Sequence, residues 1–252
     1  MTTRFLLLWG LGMLGVVSLA WMPLPLPPGA PEPPLPTGVI KLISLIQPTI
    51  LLTIAVWLGN ILSPQVQLAA PATTAIAKGQ SPLPILQAQL LPGLVGGLVG
   101  GAALIGIHAI ASAGLPSDFM TKATALGETT PFLTRLLYGG ITEELLLRWG
   151  LMTLLVWGGW RFVSHRPPEP PLWIILGAIA VAAFLFAVGH LPLAVALGHT
   201  TPGVILYILG ANTVFGLIAG YLYWRSGLEA AMLAHMVVHG VLVLAGQWIR
   251  IG

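Results

Sequence analysis

Long apolar runs constrain this chain more than any other feature. Stretches at about 5–22, 39–62, 94–115, 132–160, 171–193, 203–224 and 228–249 each approach or exceed the roughly 20 residues that cross a bilayer. A backbone in hydrocarbon finds no water and must satisfy its own N–H and C=O groups, so runs of this length fold as helices. The expected fold is therefore all-α, a polytopic transmembrane helical bundle of about seven spans. The expected place is an integral, multi-pass position, in a bacterial-type inner or plasma membrane or another internal membrane, with membrane lipid as the surrounding partner.

Composition narrows the function classes. Charged residues make up 7% of the chain and hydrophobic ones 56%, whereas a soluble domain carries about 25% charged residues. The formal net charge is +3, but its ten Lys and Arg are scattered, and without a basic cluster to track phosphates no nucleic-acid partner is expected. There is no cysteine, which removes disulfides, thiolate metal sites, a Cys nucleophile and palmitoylation.

The chain divides by content into an N-terminal membrane region, residues 1–130 with spans one to three, and a core, residues 131–252 with spans four to seven. The first apolar run follows Arg4 and leads into proline rather than a small-x-small site, so it reads as an uncleaved helix rather than a signal peptide. Eight prolines between Pro23 and Pro36 mark a stiff connector. Residues 63–92 read as a long loop, and 116–130 as a polar stretch. In the third span Gly96, Gly97, Gly100 and Gly101 permit close helix approach in lipid. Threading from a cytoplasmic N-terminus places Arg4, Lys78, Arg161, Arg166 and Arg225 inside, with Lys122 and Arg250 outside and Lys41 and Arg135 at outer span ends, in keeping with the positive-inside bias.

Three charges break this pattern. Glu143, Glu144 and Arg148 fall near the middle of the fourth span, where each costs roughly 2.5–3.5 kcal/mol on insertion scales, so a functional or tightly paired site is the default reading. Glu144 and Arg148 are four residues apart in the favourable acid-first order and can neutralise one another. Glu143 is rotated by about 100° from Glu144, so it points elsewhere and is the acid left for chemistry.

Of the six histidines, His108, His190, His235 and His239 fall in or beside spans, and His165 and His199 in loops. His235 and His239 are one turn apart and address one point. His190 follows Phe186 by the same interval, which sets a ring beside an imidazole. Two chemistries use such a set. Glu143 can act as general base on a water while histidines position that water or stabilise an oxyanion, with no cofactor required. Alternatively Glu143, His190, His235 and His239 can hold zinc, which lowers the pKa of a bound water, although the H-x-x-x-H pair lacks the glutamate of H-E-x-x-H.

Three motifs in this order give the chain a family likeness: Glu143-Glu144-Leu-Leu-Leu-Arg148, Phe186-Ala-Val-Gly-His190, and His235-Met-Val-Val-His239 preceded by the glycine-rich run from Phe215 to Gly227. Together they resemble the CPBP intramembrane proteases, which include the CAAX prenyl proteases of the Ras-converting type and bacterial Abi proteins, over roughly residue 132 to the C-terminus. The resemblance implies a helical bundle with its active site sunk in the membrane. It further implies a catalytic Glu143 that activates water, His190 as its helper, and His235 with the third-motif partner on the oxyanion. Activities in such a family are endoproteolysis of membrane-tethered or prenylated peptides, bacteriocin self-immunity and non-proteolytic partner roles. One position departs: the third-motif asparagine is His239 here, which keeps a donor but adds a protonation state and metal-binding capacity.

The function expected is intramembrane endopeptidase activity on membrane-associated or lipidated peptide or protein substrates. Glu143 is the base, Glu144 and Arg148 an orienting pair, His190 a water or base partner, and His235 with His239 the oxyanion or metal side. The rivals are a zinc-dependent intramembrane protease and a non-catalytic membrane partner or immunity protein.

Overall fold

The structure is a computed structural model that describes residues 2–23, 35–164 and 167–249. Most of the proline connector, together with His165, Arg166 and Arg250, lies outside the described residues. Every regular element among the described residues is helical, as the apolar runs require.

In chain order the helices are α1 (Thr2–Ser18), α2 (Thr37–Ser44), α3 (Ile46–Leu62), α4 (Pro71–Ala77), α5 (Leu83–Ala111), α6 (Ser117–Thr129), α7 (residues 132–163), α8 (Leu172–Gly189), α9 (Leu191–Ala196), α10 (Pro202–Ser226) and α11 (Leu228–Ile249). Among the described residues, six helical stretches are long and apolar enough to cross a membrane: Thr2–Trp21, Thr37–Gln65, Leu83–Gly114, Leu172–Ala196, Pro202–Ser226 and Leu228–Gly246. The expected fourth span is not among them. It is present as α7, helical throughout, but its winding alternates between α and π and it carries the buried charges.

Several boundaries differ from the sequence reading for identifiable reasons. The second span is broken at Leu45, because Pro48 has no N–H to give the carbonyl of Ser44, where α2 ends. The third span starts at Leu83 rather than Leu94, with Pro84 in its first turn and Pro92 inside. Proline in a first turn removes a donor that has no intrahelical partner anyway. The side chain of Gln89 then ties this early part of the helix to the carbonyl of Ser226 at 2.7 Å. The long loop is correspondingly shorter and holds α4, and the polar stretch after the third span is α6. The fifth span ends at Gly189 and continues as the separate short α9.

Glycine sets the helix crossings. On α5, Gly93, Gly97 and Gly101 leave room for Leu233, Val237 and Val241 of α11, while Gly96 and Gly100 receive Leu222 and Phe215 of α10. Gly216 and Gly220 of α10 in turn lie against Ala183 and Ile179 of α8. Gly59 of α3 accommodates Trp149, and Gly12 and Gly15 of α1 meet Leu145, Leu137 and Thr142, all three on α7. Without a hydrophobic driving force between helices in lipid, such close approach supplies the packing energy. Gly227, at φ +95°, makes the turn between α10 and α11, a left-handed conformation that a side chain would strain. These contacts hold α7, α8, α10 and α11 around one buried cluster that includes Leu145, Trp149, Phe186, Phe215, Ala234 and Val238.

Candidate active site

Helix α7 supplies both acids from a stretch with unusual winding. Arg135–Glu143 and Leu145–Met152 are π-helical; the hydroxyl of Thr153 reaches back five residues to the carbonyl of Arg148 at 3.2 Å, while that of Thr142 donates to the carbonyl of Gly12 on α1 at 2.8 Å. Widened turns of this kind recur at functional sites. Here they lie on either side of Glu144.

The two acids have different surroundings. Glu144 is fully buried, with Oε1 3.2 Å from Arg148 Nη1 and 2.7 Å from His235 Nδ1. Arg148, equally buried, also donates through Nη2 to the carbonyl of Gly216 at 3.2 Å, and its guanidinium lies 5.1 Å from the centre of the Phe186 ring. Glu143 keeps 19% of its side chain exposed and places Oε2 3.9 Å from His235 Nε2. One imidazole thus bridges the two carboxylates, and only Glu143 faces open space.

Aromatic rings fix that imidazole. Phe215 approaches His235 at 4.5 Å and Phe186 at 6.1 Å, both edge-on, and His239 stacks on it at 4.9 Å with planes only 16° apart. The one-turn spacing on α11 therefore brings the two histidines together as expected. His190 lies 4.6 Å from Phe186, again as the four-residue spacing implies, and its Nδ1 is 2.9 Å from the carbonyl of Phe186. A carbonyl only accepts, so Nδ1 carries the proton and Nε2 of the neutral ring is left as an acceptor.

A cavity of about 350 Å³ joins these groups, with Glu143, His190, His235 and His239 all on its wall. Glu144 and Arg148 do not line it; they lie behind His235. This wall also holds Arg135, read from the sequence only as a charge at a span end, and Tyr138, Asn212 and Phe215, which a reading based on charge does not find. The side-chain amide of Asn212 donates to the carbonyl of Ile208 at 2.9 Å, which occupies one of its two protons. The signal for Asn212 was present in the sequence as an amide in the middle of an apolar span. The other histidines belong elsewhere: His108 bonds Tyr207 at 3.2 Å, and His199 pairs with Asp118 at 2.7 Å.

No group of three His, Asp or Glu side chains among the described residues is placed to share one ion.

Residues 125–241 match the family model described as type II CAAX prenyl endopeptidase Rce1-like. The matched segment holds Glu143, Glu144, Arg148, His190, His235 and His239, and leaves α1 to α5 outside. No curated protein and no solved structure matches the chain.

Proposed function

We propose that this protein is an intramembrane endopeptidase that hydrolyses peptide bonds of membrane-associated substrates with a water activated by Glu143. The observation that carries the reading is the division between the acids: Glu144 is consumed by Arg148 and His235 in the dry interior, while Glu143 faces a cavity shared with three imidazoles. A scaffold has no need of an acid turned toward open space inside a bundle, since an unpaired intramembrane carboxylate is costly.

In the proposed reaction Glu143 and the bare Nε2 of His190 accept the two protons of one bound water. Glu143 takes a proton as the water oxygen attacks the scissile carbonyl, and later returns it to the leaving amine. Paired with a Glu144 carboxylate, a neutral His235 carries its proton on Nδ1. Nε2 then donates to the oxyanion only when the ring carries a second proton. His239 and Asn212 complete the polar wall around the tetrahedral centre.

The test is cleavage of a fluorogenic transmembrane peptide library in proteoliposomes by the wild type and Glu143→Gln, with metal content measured on the same preparations. Cleavage lost in a variant that melts like the wild type supports the glutamate reading. Cleavage that tracks stoichiometric zinc would move the site to metal chemistry, and a Glu143→Gln protein with undiminished cleavage would sink the proposal.

A further inference from the structure

The end of the bundle remote from Asp118 and His199 carries a second polar site, independent of the hydrolytic reading. Two cavities adjoin there, of about 340 and 440 Å³, within the roughly 300–1,000 Å³ typical of small-molecule sites. They share Pro71 and Ile85 as a common wall. The first presents Arg4, Lys78, Thr74 and Gln80, and the second Arg225.

The charge of this site is unbalanced. Arg4 is half-buried and donates Nε and Nη2 to the side-chain and backbone oxygens of Asn60, at 2.5 and 2.7 Å, with its guanidinium 5.3 Å from the Trp149 ring centre. Both partners are neutral, and Nη1 is not used by either bond. Lys78 and Arg225 are exposed. Among the described residues no carboxylate lies within ion-pair distance of any of the three. Of the acids on this side, Glu229 accepts from the N–H and hydroxyl of Thr73 and from Gln89 and is thereby satisfied internally, and Glu169, in the loop before α8, makes no ion pair with any of the three. The three cations, none ion-paired, face cavities that also hold Gln89 and Ser226 and whose other walls, including Leu68, Pro84 and Ile85, are apolar.

We infer that these adjoining cavities bind a phosphate ester, the headgroup of an acidic glycerophospholipid from the adjacent leaflet. Guanidinium geometry matches phosphate oxygens, basic pockets between spans are a recurrent form of acidic-lipid recognition, and the apolar walls suit the glycerol and first methylenes of such a molecule. Free phosphate shares the anionic chemistry but not the need for those walls.

The test uses the delipidated full-length chain in neutral detergent, titrated with dioleoylphosphatidylglycerol, dioleoylphosphatidylcholine or inorganic phosphate and followed by native mass spectrometry. The expected result is binding of the acidic lipid about tenfold or more tighter than the neutral one. The double variant Lys78→Glu/Arg225→Glu, at two exposed positions, loses that preference, whereas Lys41→Glu at the opposite end retains it. Binding of inorganic phosphate that the double variant abolishes, with no preference between the lipids, would keep the anion site and make soluble phosphate its ligand. Equal binding of both lipids without phosphate binding, or an acidic-lipid preference that survives the double variant, overturns the inference.

Discussion

Glu144 and His235, 91 residues apart in sequence, meet at 2.7 Å in the buried core of the bundle. This contact joins α7 to α11 and sets the tautomer of the imidazole whose other nitrogen faces Glu143. Glu144 therefore meets the cavity only by way of His235 and does not line it.

Removal of one member of this buried set leaves the others uncompensated. Glu144→Ala is expected to cost about 3–5 kcal/mol, the range for a broken buried pair. The paired replacement Glu144→Leu/Arg148→Met recovers most of that loss yet stays inactive, because His235 has lost its orienting partner. Thermal melts of both variants beside peptide cleavage check this, and a paired variant that is stable and fully active would contradict it.

Glu143 and His190 are expected to act on one water. Glu143→Gln and His190→Phe each lower kcat by about 10²–10⁴, the usual range for general-base catalysis. Residues that act as a unit are strongly non-additive, so the double variant falls little further than Glu143→Gln alone. Single-turnover cleavage by the three variants decides the matter; multiplicative losses would mean separate roles.

Gly139 lies directly against the imidazole of His239, and a methyl group there would overlap Nε2. Gly139→Ala is expected to cost about 1–3 kcal/mol from overpacking and to displace the stacked ring, with cleavage falling more than stability. The companion His239→Asn removes the clash and restores an amide at that position. Higher activity for Gly139→Ala/His239→Asn than for Gly139→Ala alone is the outcome to look for.

Outside the spans, Asp118 on α6 offers a pH-dependent contact. Desolvation, which raises its pKa, is outweighed by the hydrogen bond and charge of His199 and by Lys122, so its carboxyl is held below the usual range. A carboxyl depressed in the folded state stabilises above its ordinary pKa, about 3.9, and the contribution is lost as pH falls below that value. Hydrogen exchange in α6, corrected for its intrinsic pH dependence, should quicken over that acid range in the wild type and stay flat in Asp118→Asn.

The local part of the site was legible because helical spacing is a local code. The pairing of Glu144 with Arg148, the approach of His190 to Phe186 and the stacking of His235 on His239 all follow from four-residue intervals. The bridge from Glu144 to His235 was not, since it depends on how α11 lies against α7. The π winding escaped for another reason: it is a register of backbone hydrogen bonds and leaves the pattern of apolar residues almost unchanged. The early start of α5 was hidden because its first turns are rich in Gln and Pro, and only the tertiary bond from Gln89 to Ser226 shows what holds them.

The glycine rows of α5 have a mechanical consequence. With Gly93, Gly97 and Gly101 against α11, Gly96 against α10 and Gly100 against both, α5 is wedged like a keel between the helix that bears His235 and His239 and the one that bears Asn212. Neither neighbour can roll or slide without driving a side chain into backbone. The groups that line the first cavity from α10 and α11 are thereby held in one register, while a second cavity, bounded by Thr124, Phe132, Arg135 and Val243, runs beside α6 and adjoins the first at Thr130, Arg135 and Leu242.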